Sequence, residues 1–350
     1  MLPARCGFKA VCREKTFACG LHSANPGDKS QGSRRVAIQF IQSLPISASE
    51  SMPSPDLIPD FSAEDFPVNG VTIRVAHGGN RGGLPLLLLH GHPQTHAIWH
   101  RVAPALAEHF YVVAADLRGY GDSSKPAGLP DHANYSKREM ARDQVEVMRA
   151  LGFERFLLCA HDRGARVAHR LCLDHPGVIE KAVLLDIAPT LAMYEQTTME
   201  FAQSYWHWFF LIQPQPLPEH LLQADPEFFV RRVMSRGPRG LALFDPAALS
   251  EYIRCARLPG TVHAICEDYR ASASIDLEHD RADRAAGRKV ECPLRVFWGG
   301  NGVIERCFKP MEIWRGYAND VQGQALPSGH YIPEEVPDEL LARLMEFFRP

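Results

Sequence analysis

Residues 159–166, Cys159-Ala160-His161-Asp162-Arg163-Gly164-Ala165-Arg166 (CAHDRGAR), stand where an apolar run, Phe156 to Cys159, gives way to a helical pattern. A reactive side chain carried on a sharp strand-to-helix turn needs small neighbours, so that strand and helix can approach each other. Ala160 and Gly164 supply the small flanks and Asp162 occupies the tip. An Asp before a helix is more often a plain N-cap, so its meaning depends on what surrounds it.

Working outward, apolar runs alternate with helical patterns from residue 66 onward, the signature of a parallel sheet covered on both faces. Strands are expected at Val71–Ala76, Leu84–Leu89, Tyr111–Ala115, Phe156–Cys159, Ala182–Leu185, Leu294–Trp298 and Gln322–Leu326. Helices are expected at Ser136–Leu151, Arg163–Asp174, Cys307–Tyr317 and Pro337–Phe348. The alternation stops between Pro189 and Gly287, where aromatics and prolines cluster (SYWHWFFLIQPQPLPEH) and helical patterns follow one another. This predicts an α/β core, residues 52–188 and 288–350, with a helical cap, 189–287, inserted above the carboxyl edge of the sheet where ligands bind. Residues 1–51 differ from the rest. They hold seven Lys or Arg against three acidic residues with little periodicity, and are expected to be a disordered N-terminal extension. Arg34-Arg35 and the apolar stretch behind them faintly resemble an export signal, and Met52 is an alternative start.

Two upstream motifs change the reading of Asp162. Leu86–Leu89 runs into His90-Gly91-His92-Pro93, whose His92 N–H can join that of Arg163 to hold an oxyanion, and Asp116-Leu117-Arg118-Gly119-Tyr120-Gly121-Asp122-Ser123 follows the next strand. HGHP, DLRGYGDS and HDRG, in this order, resemble the α/β-hydrolase fold superfamily over residues 66–350. A carboxylate nucleophile suits displacement at a saturated carbon, which leaves an ester that water must then hydrolyse. The base for that step is expected at His330, in the Ser328-Gly329-His330 loop after the last strand. Its orienting acid is expected at Asp186 (KAVLLDIAP), because the strand after the cap leads into Trp298-Gly299-Gly300-Asn301-Gly302 without an Asp. Arg163 and Arg166 lie three residues apart at a helix start, where two guanidiniums and the helix N-terminus together suit a substrate carboxylate.

The longer set HGHPQTHAIWHRVAP, DLRGYGDSSKP, HDRGARVAHR, LLDIAPT, YWHWFF and SGHYIPEE resembles the fluoroacetate (haloacetate) dehalogenases. The resemblance implies Asp162 as nucleophile, Asp186 with His330 for ester hydrolysis, and Arg163 with Arg166 for the substrate carboxylate. It also implies His207, Trp208 and Tyr269 as the halide site. Ala160 departs from the family's usual glycine, which raises the prospect of strain at the turn. The expected reaction turns a haloacetate and water into glycolate and halide. An epoxide hydrolase with the same Asp nucleophile, or a ligand-binding member of the fold without catalysis, are the alternatives.

Composition narrows the rest. With 45% hydrophobic and 23% charged residues and a formal net charge of -3, the chain shows no electrostatic footprint for nucleic acid. No apolar run reaches the roughly 18 residues of a membrane span. Nine scattered cysteines show no metal-ligand spacing and suit reduced thiols in a cytoplasm. No metal or organic cofactor is expected; the partner is a small haloacid, and a homodimer is left open.

Overall fold

The computed structural model describes residues 57–349 apart from Pro238; the extension expected at 1–51 lies outside the described residues. An eight-stranded sheet has the order β1 (Ser62–Val68), β2 (Val71–Gly79), β4 (Tyr111–Ala115), β3 (Pro85–Leu89), β5 (Phe156–His161), β6 (Ile179–Leu185), β7 (Leu294–Gly299) and β8 (Val321–Leu326). β1 and β2 pair antiparallel, as do β2 and β4; every other pairing is parallel. The inner strands are apolar without interruption, as PLLLL and YVVAA are, because helices cover both faces. Successive residues serve opposite sides: Leu87, Leu89, Leu158 and Ala160 belong to one hydrophobic cluster, Leu86, Leu88, Leu157 and Cys159 to the other.

Helices α1 (Ala103–Ala107), α2 (Lys137–Ala150) and α3 (Asp162–Asp174) belong to the core, and α2 starts where the Ser136 Oγ accepts the Glu139 N–H. Between β6 and β7 the named elements are all helical: α4 (Thr190–Glu195), α5 (Met199–Ser204), α6 (Trp206–Leu211), α7 (Leu217–Ala224), α8 (Pro226–Met234), a 3-10 turn (Gly240–Leu243), α9 (Pro246–Ala256), α10 (Thr261–Ala273) and α11 (Ile275–Ala285). This is the cap. No helix among the described residues is long and apolar enough to cross a membrane.

Two expectations need correction. The helix expected over Cys307–Tyr317 is two short ones, α12 (Val303–Cys307) and α13 (Pro310–Trp314). Pro310 has no N–H to give and bars Lys309 from helical backbone (φ -112°, ψ 81°), so the second helix must begin afresh at the proline. Strand β1 was not expected, because Ser62–Val68 (SAEDFPV) faces solvent along most of its length and carries Pro67, tolerated only at an edge. The chain closes with α14 (Ile332–Glu335) and α15 (Pro337–Phe348). In α14, the wholly buried Glu334 ties core to cap: its carboxyl accepts from Gln94 Nε2 at 2.6 Å and from the cap's Tyr252 hydroxyl at 3.0 Å.

Candidate active site

The parallel strands all end at one edge, and each of four delivers a piece of the site there. β3 leads to His92, β5 to Asp162, β6 to Asp186 and β8 to His330. Asp162 and Asp186 both have left-handed backbone, φ 46° and 52°, a conformation that costs most L-residues strain and that Asp bears better than most. The turn at Asp162 is as tight as the small flanks imply. A Cβ on Gly164 would lie 2.4 Å from the His90 carbonyl oxygen, and one on Gly91 would lie 2.5 Å from the Asp162 Cβ. Ala160 causes no such conflict: it lies in β5 between Leu89 and Leu184, outside the positive-φ residues, with its methyl in the core.

Asp162, 4% exposed, accepts the His92 N–H on Oδ1 at 2.9 Å, while its Oδ2 lies 3.9 Å from His330 Nε2. No hydrogen bond from the Arg163 N–H to this carboxylate is formed among the described residues. Burial alone would raise the Asp162 pKa, but His330, His161, Arg166 and Arg163 outweigh it and hold the carboxyl well below the usual range. His330 Nδ1 meets Asp186 Oδ2 at 2.5 Å, and the other Asp186 oxygen accepts the Gly299 N–H at 2.9 Å. The strand that lacks an acid thus contributes a backbone donor to the acid borrowed from its neighbour. The Tyr205 hydroxyl is 3.4 Å from His330 Nδ1, and His161 Nε2 bonds the His330 carbonyl at 2.8 Å.

The two arginines turn out unequal. Arg163 is wholly buried and clamped to the cap: Nε and Nη2 take both carboxylate oxygens of Asp268 at 2.8 and 2.9 Å, and Nη2 also reaches Ser272 Oγ at 2.6 Å. Asp268 in turn accepts Tyr120 at 2.6 Å and pairs with Lys137. Burial would raise the Asp268 pKa, yet Arg163 and Lys137 keep it below the usual carboxylate value. Arg166 has only neutral acceptors, the Ala188 carbonyl at 3.2 Å, Thr190 Oγ1 at 3.0 Å and Met193 Sδ at 3.1 Å. Of the pair expected to hold a substrate carboxylate, one guanidinium is therefore anchored and one loosely held. Each still keeps a buried donor without an acceptor, Arg163 Nη1 and Arg166 Nε.

His207, Trp208 and Tyr269 come together over these arginines. The Arg163 guanidinium lies 4.1 Å from the Tyr269 ring centre, and that of Arg166 lies 4.5 Å from Trp208. Tyr269 is 6.0 Å from His207 and 6.2 Å from Trp208, centre to centre. Trp208 Nε1 is buried without a partner. Burial, and then the Arg236 charge, keep His207 neutral well below its ordinary pKa, while burial keeps the Tyr269 hydroxyl protonated. Sequence reasoning missed Asp268, Lys137 and Arg236. One signal for the cluster was available, since Lys137 directly follows an N-cap, the wrong end of a helix dipole for a cation.

The model for the alpha/beta hydrolase fold matches residues 85–271. Over 281 residues the chain is 47% identical to the fluoroacetate dehalogenase of Burkholderia sp, a match covering 80% of this chain and 91% of that protein. The soluble epoxide hydrolase of Corynebacterium sp. (strain C12) is 31% identical over 287 residues, covering 81% and 96%. Among solved structures, an α/β hydrolase from Nostoc sp PCC 7120 superposes with a TM-score of 0.79 at 53% identity, covering 82% of this chain and 97% of that one. Matched along four fifths of its length, the chain belongs to the fluoroacetate dehalogenase family of α/β hydrolases.

Proposed function

We propose that the enzyme hydrolyses haloacetates to glycolate and halide through an ester on Asp162. The observation that carries this reading is a set of three buried donors without acceptors, Arg163 Nη1, Arg166 Nε and Trp208 Nε1, in one cluster beside an ionised aspartate. Buried donors of this kind are costly unless a ligand meets them. A haloacetate offers a carboxylate to the arginines and a halogen to His207, Trp208 and Tyr269, which leaves the carbon between them for Asp162.

In the first step Asp162 Oδ2 forms a bond to that carbon as the carbon–halogen bond breaks, and the halide takes the electron pair into the three cap donors. In the second, His330 Nε2 takes a proton from water, whose oxygen attacks the Asp162 carboxyl carbon. Asp186 holds the imidazole with its Nδ1 proton directed away from the reaction. Negative charge gathers on Oδ1, where the His92 N–H already points, and the Arg163 N–H is the second donor of this reading. Collapse passes the proton from His330 to the departing glycolate oxygen, and the acid left on Asp162 gives up the remaining water proton to solvent, which restores the carboxylate.

The soluble epoxide hydrolase relative and the cap tyrosines Tyr205 and Tyr269 favour a second reading, ring opening by the same aspartate. An epoxide offers no carboxylate to Arg163 and Arg166, so haloacid hydrolysis is the better fit. Purified protein given fluoroacetate, chloroacetate and styrene oxide in separate reactions is expected to release halide. Diol formation without halide would favour the epoxide reading, and no product from any of them a binding role.

A further inference from the structure

A cavity of about 330 Å³ opens between cap and core and is lined in part by His207 and His330. Its lining holds three arginines, Arg232, Arg236 and Arg306, and no Asp or Glu. That is unusual for a chain whose formal net charge is -3. Arg306 pairs with Glu200 at 3.2 Å on the surface, and Arg232 is exposed. Arg236 lies deepest in the chemistry. Its Nε donates to the Val233 carbonyl at 2.8 Å, Nη2 reaches the Tyr331 hydroxyl at 3.5 Å, and the guanidinium stands 5.0 Å from the Tyr205 ring centre. Nη1 is buried with no acceptor, and among the described residues no carboxylate lies within ion-pair distance of Arg236.

A purely structural duty accounts for part of this. Val233 is in the last turn of α8, where a cation suits the helix dipole. One nitrogen suffices for that duty, however, and a guanidinium withdrawn from water with neutral partners alone carries a cost that a cap does not require. The neighbours on the remaining sides are His207, Tyr205, His330 and Tyr331, none of them anionic. Asp162 acts on Arg236 only from beyond ion-pair distance, and a cation in a low-dielectric cleft whose lining holds no carboxylate focuses its field along the cleft. The species that such a field draws in are small anions.

We propose that Arg236, with Arg232 and Arg306 at the rim, makes this cavity an anion portal, through which carboxylate substrates enter and halide and hydroxyacid anions leave. Its service to turnover rests on the haloacid reading above; its affinity for anions does not. Arg236 acts here as a specificity-determining residue that never meets the reacting carbon. It raises the local concentration of anions beside His207 and leaves bond making to Asp162 and His330.

The test uses Trp206, which lines the same cavity, as a reporter. Iodide serves as the anionic probe and collisional quencher, acrylamide as the neutral control, and Trp206→Phe identifies the share of the signal due to this residue. At low ionic strength Arg236→Gln is expected to reduce iodide quenching of Trp206 about threefold and leave acrylamide quenching as it was, whereas Arg236→Lys keeps most of the iodide effect; added salt should erase the difference. Unchanged iodide quenching in Arg236→Gln overturns the portal, whatever the kinetics. With chloroacetate, the same variant is expected to raise KM about tenfold with kcat within about twofold of wild type. If no haloacid is turned over, the function proposed above has failed while the iodide result still decides the portal. Should Arg236→Gln not fold, the exposed pair Arg232→Gln and Arg306→Gln carries the iodide measurement.

Discussion

At the sheet edge, Asp162, Asp186 and His330 find their partners within the chain, whereas beneath the cap Trp208 Nε1, Arg166 Nε and Arg163 Nη1 do not. His330 is tied to Asp186, Asp186 to the Gly299 N–H, and Asp162 to the His92 N–H. Under the cap, donors on Trp208, Arg166 and Arg163 are among the buried groups that remain without acceptors. The difference separates two tasks. Groups that move protons gain from being held in advance, since a base must be aligned before water can attack. Groups that bind an incoming anion must keep a donor in hand, and their incomplete pairing is the complement of the ligand's charge.

Removing a member of the wired half should have the largest effect. His330→Ala is expected to slow turnover about 10²–10⁴-fold, because general base catalysis is lost. Halide release should then stop after one equivalent, with a carboxymethyl adduct on Asp162 visible in the intact mass. Steady turnover without an adduct would place the base elsewhere. Asp268→Asn leaves Arg163 buried without a carboxylate and Lys137 with only its longer contact to Asp276 at 3.5 Å, which should lower stability by about 3–5 kcal/mol. Denaturant unfolding measures this, and a loss below 1 kcal/mol would mean that the cap clamp is dispensable.

Trp208→Phe keeps the ring under Arg166 and deletes one donor on the halide side. Its kcat for fluoroacetate should fall about 10²-fold, as loss of one fixed transition-state donor does, with little change in KM. An equal rise in KM instead would make Trp208 a ground-state contact. A last effect touches stability and not turnover: burial pushes the Glu334 pKa from the ordinary 4.5 up to about 8. The folded state therefore holds this proton over a range where the unfolded state has released it. The resulting stability is fully present below pH 4.5 and falls as pH rises towards 8, by about 1.4 kcal/mol per pH unit at the steepest. Glu334→Gln should flatten the slope of Tm against pH over that interval; parallel slopes for the two proteins would refute it.

Much of the wired half was legible in the sequence, because its parts follow strand ends: an apolar run, then HGHP, HDRG, LLDIAP or SGH. The Asp186–His330 pairing could be anticipated from the empty position after β7, since strand neighbours have a restricted reach. The cap half was less legible. Composition gave no reason to choose His207, Trp208 and Tyr269 from so many cap aromatics, and only motif resemblance singled them out. Asp268 stayed hidden because a carboxylate inside a helix pattern looks the same whether it faces solvent or three core side chains. Arg236 stayed hidden for a related reason, as it follows Arg231 and Arg232 in an ordinary basic run. The split of Cys307–Tyr317 was, by contrast, written in Pro310.

The bonds of Asp268 also bear on how molecules reach the site. This one cap carboxylate is fastened to Lys137, Tyr120 and Arg163, which come from three separate segments of the core, and Glu334 adds a second fastening through Tyr252 and Gln94. A roof riveted in this way cannot swing open in each cycle without parting several ionic contacts at once. On the portal proposal traffic is left to a standing doorway, and the upper size of acceptable acids is then expected to follow the width of that doorway rather than how far the roof can lift.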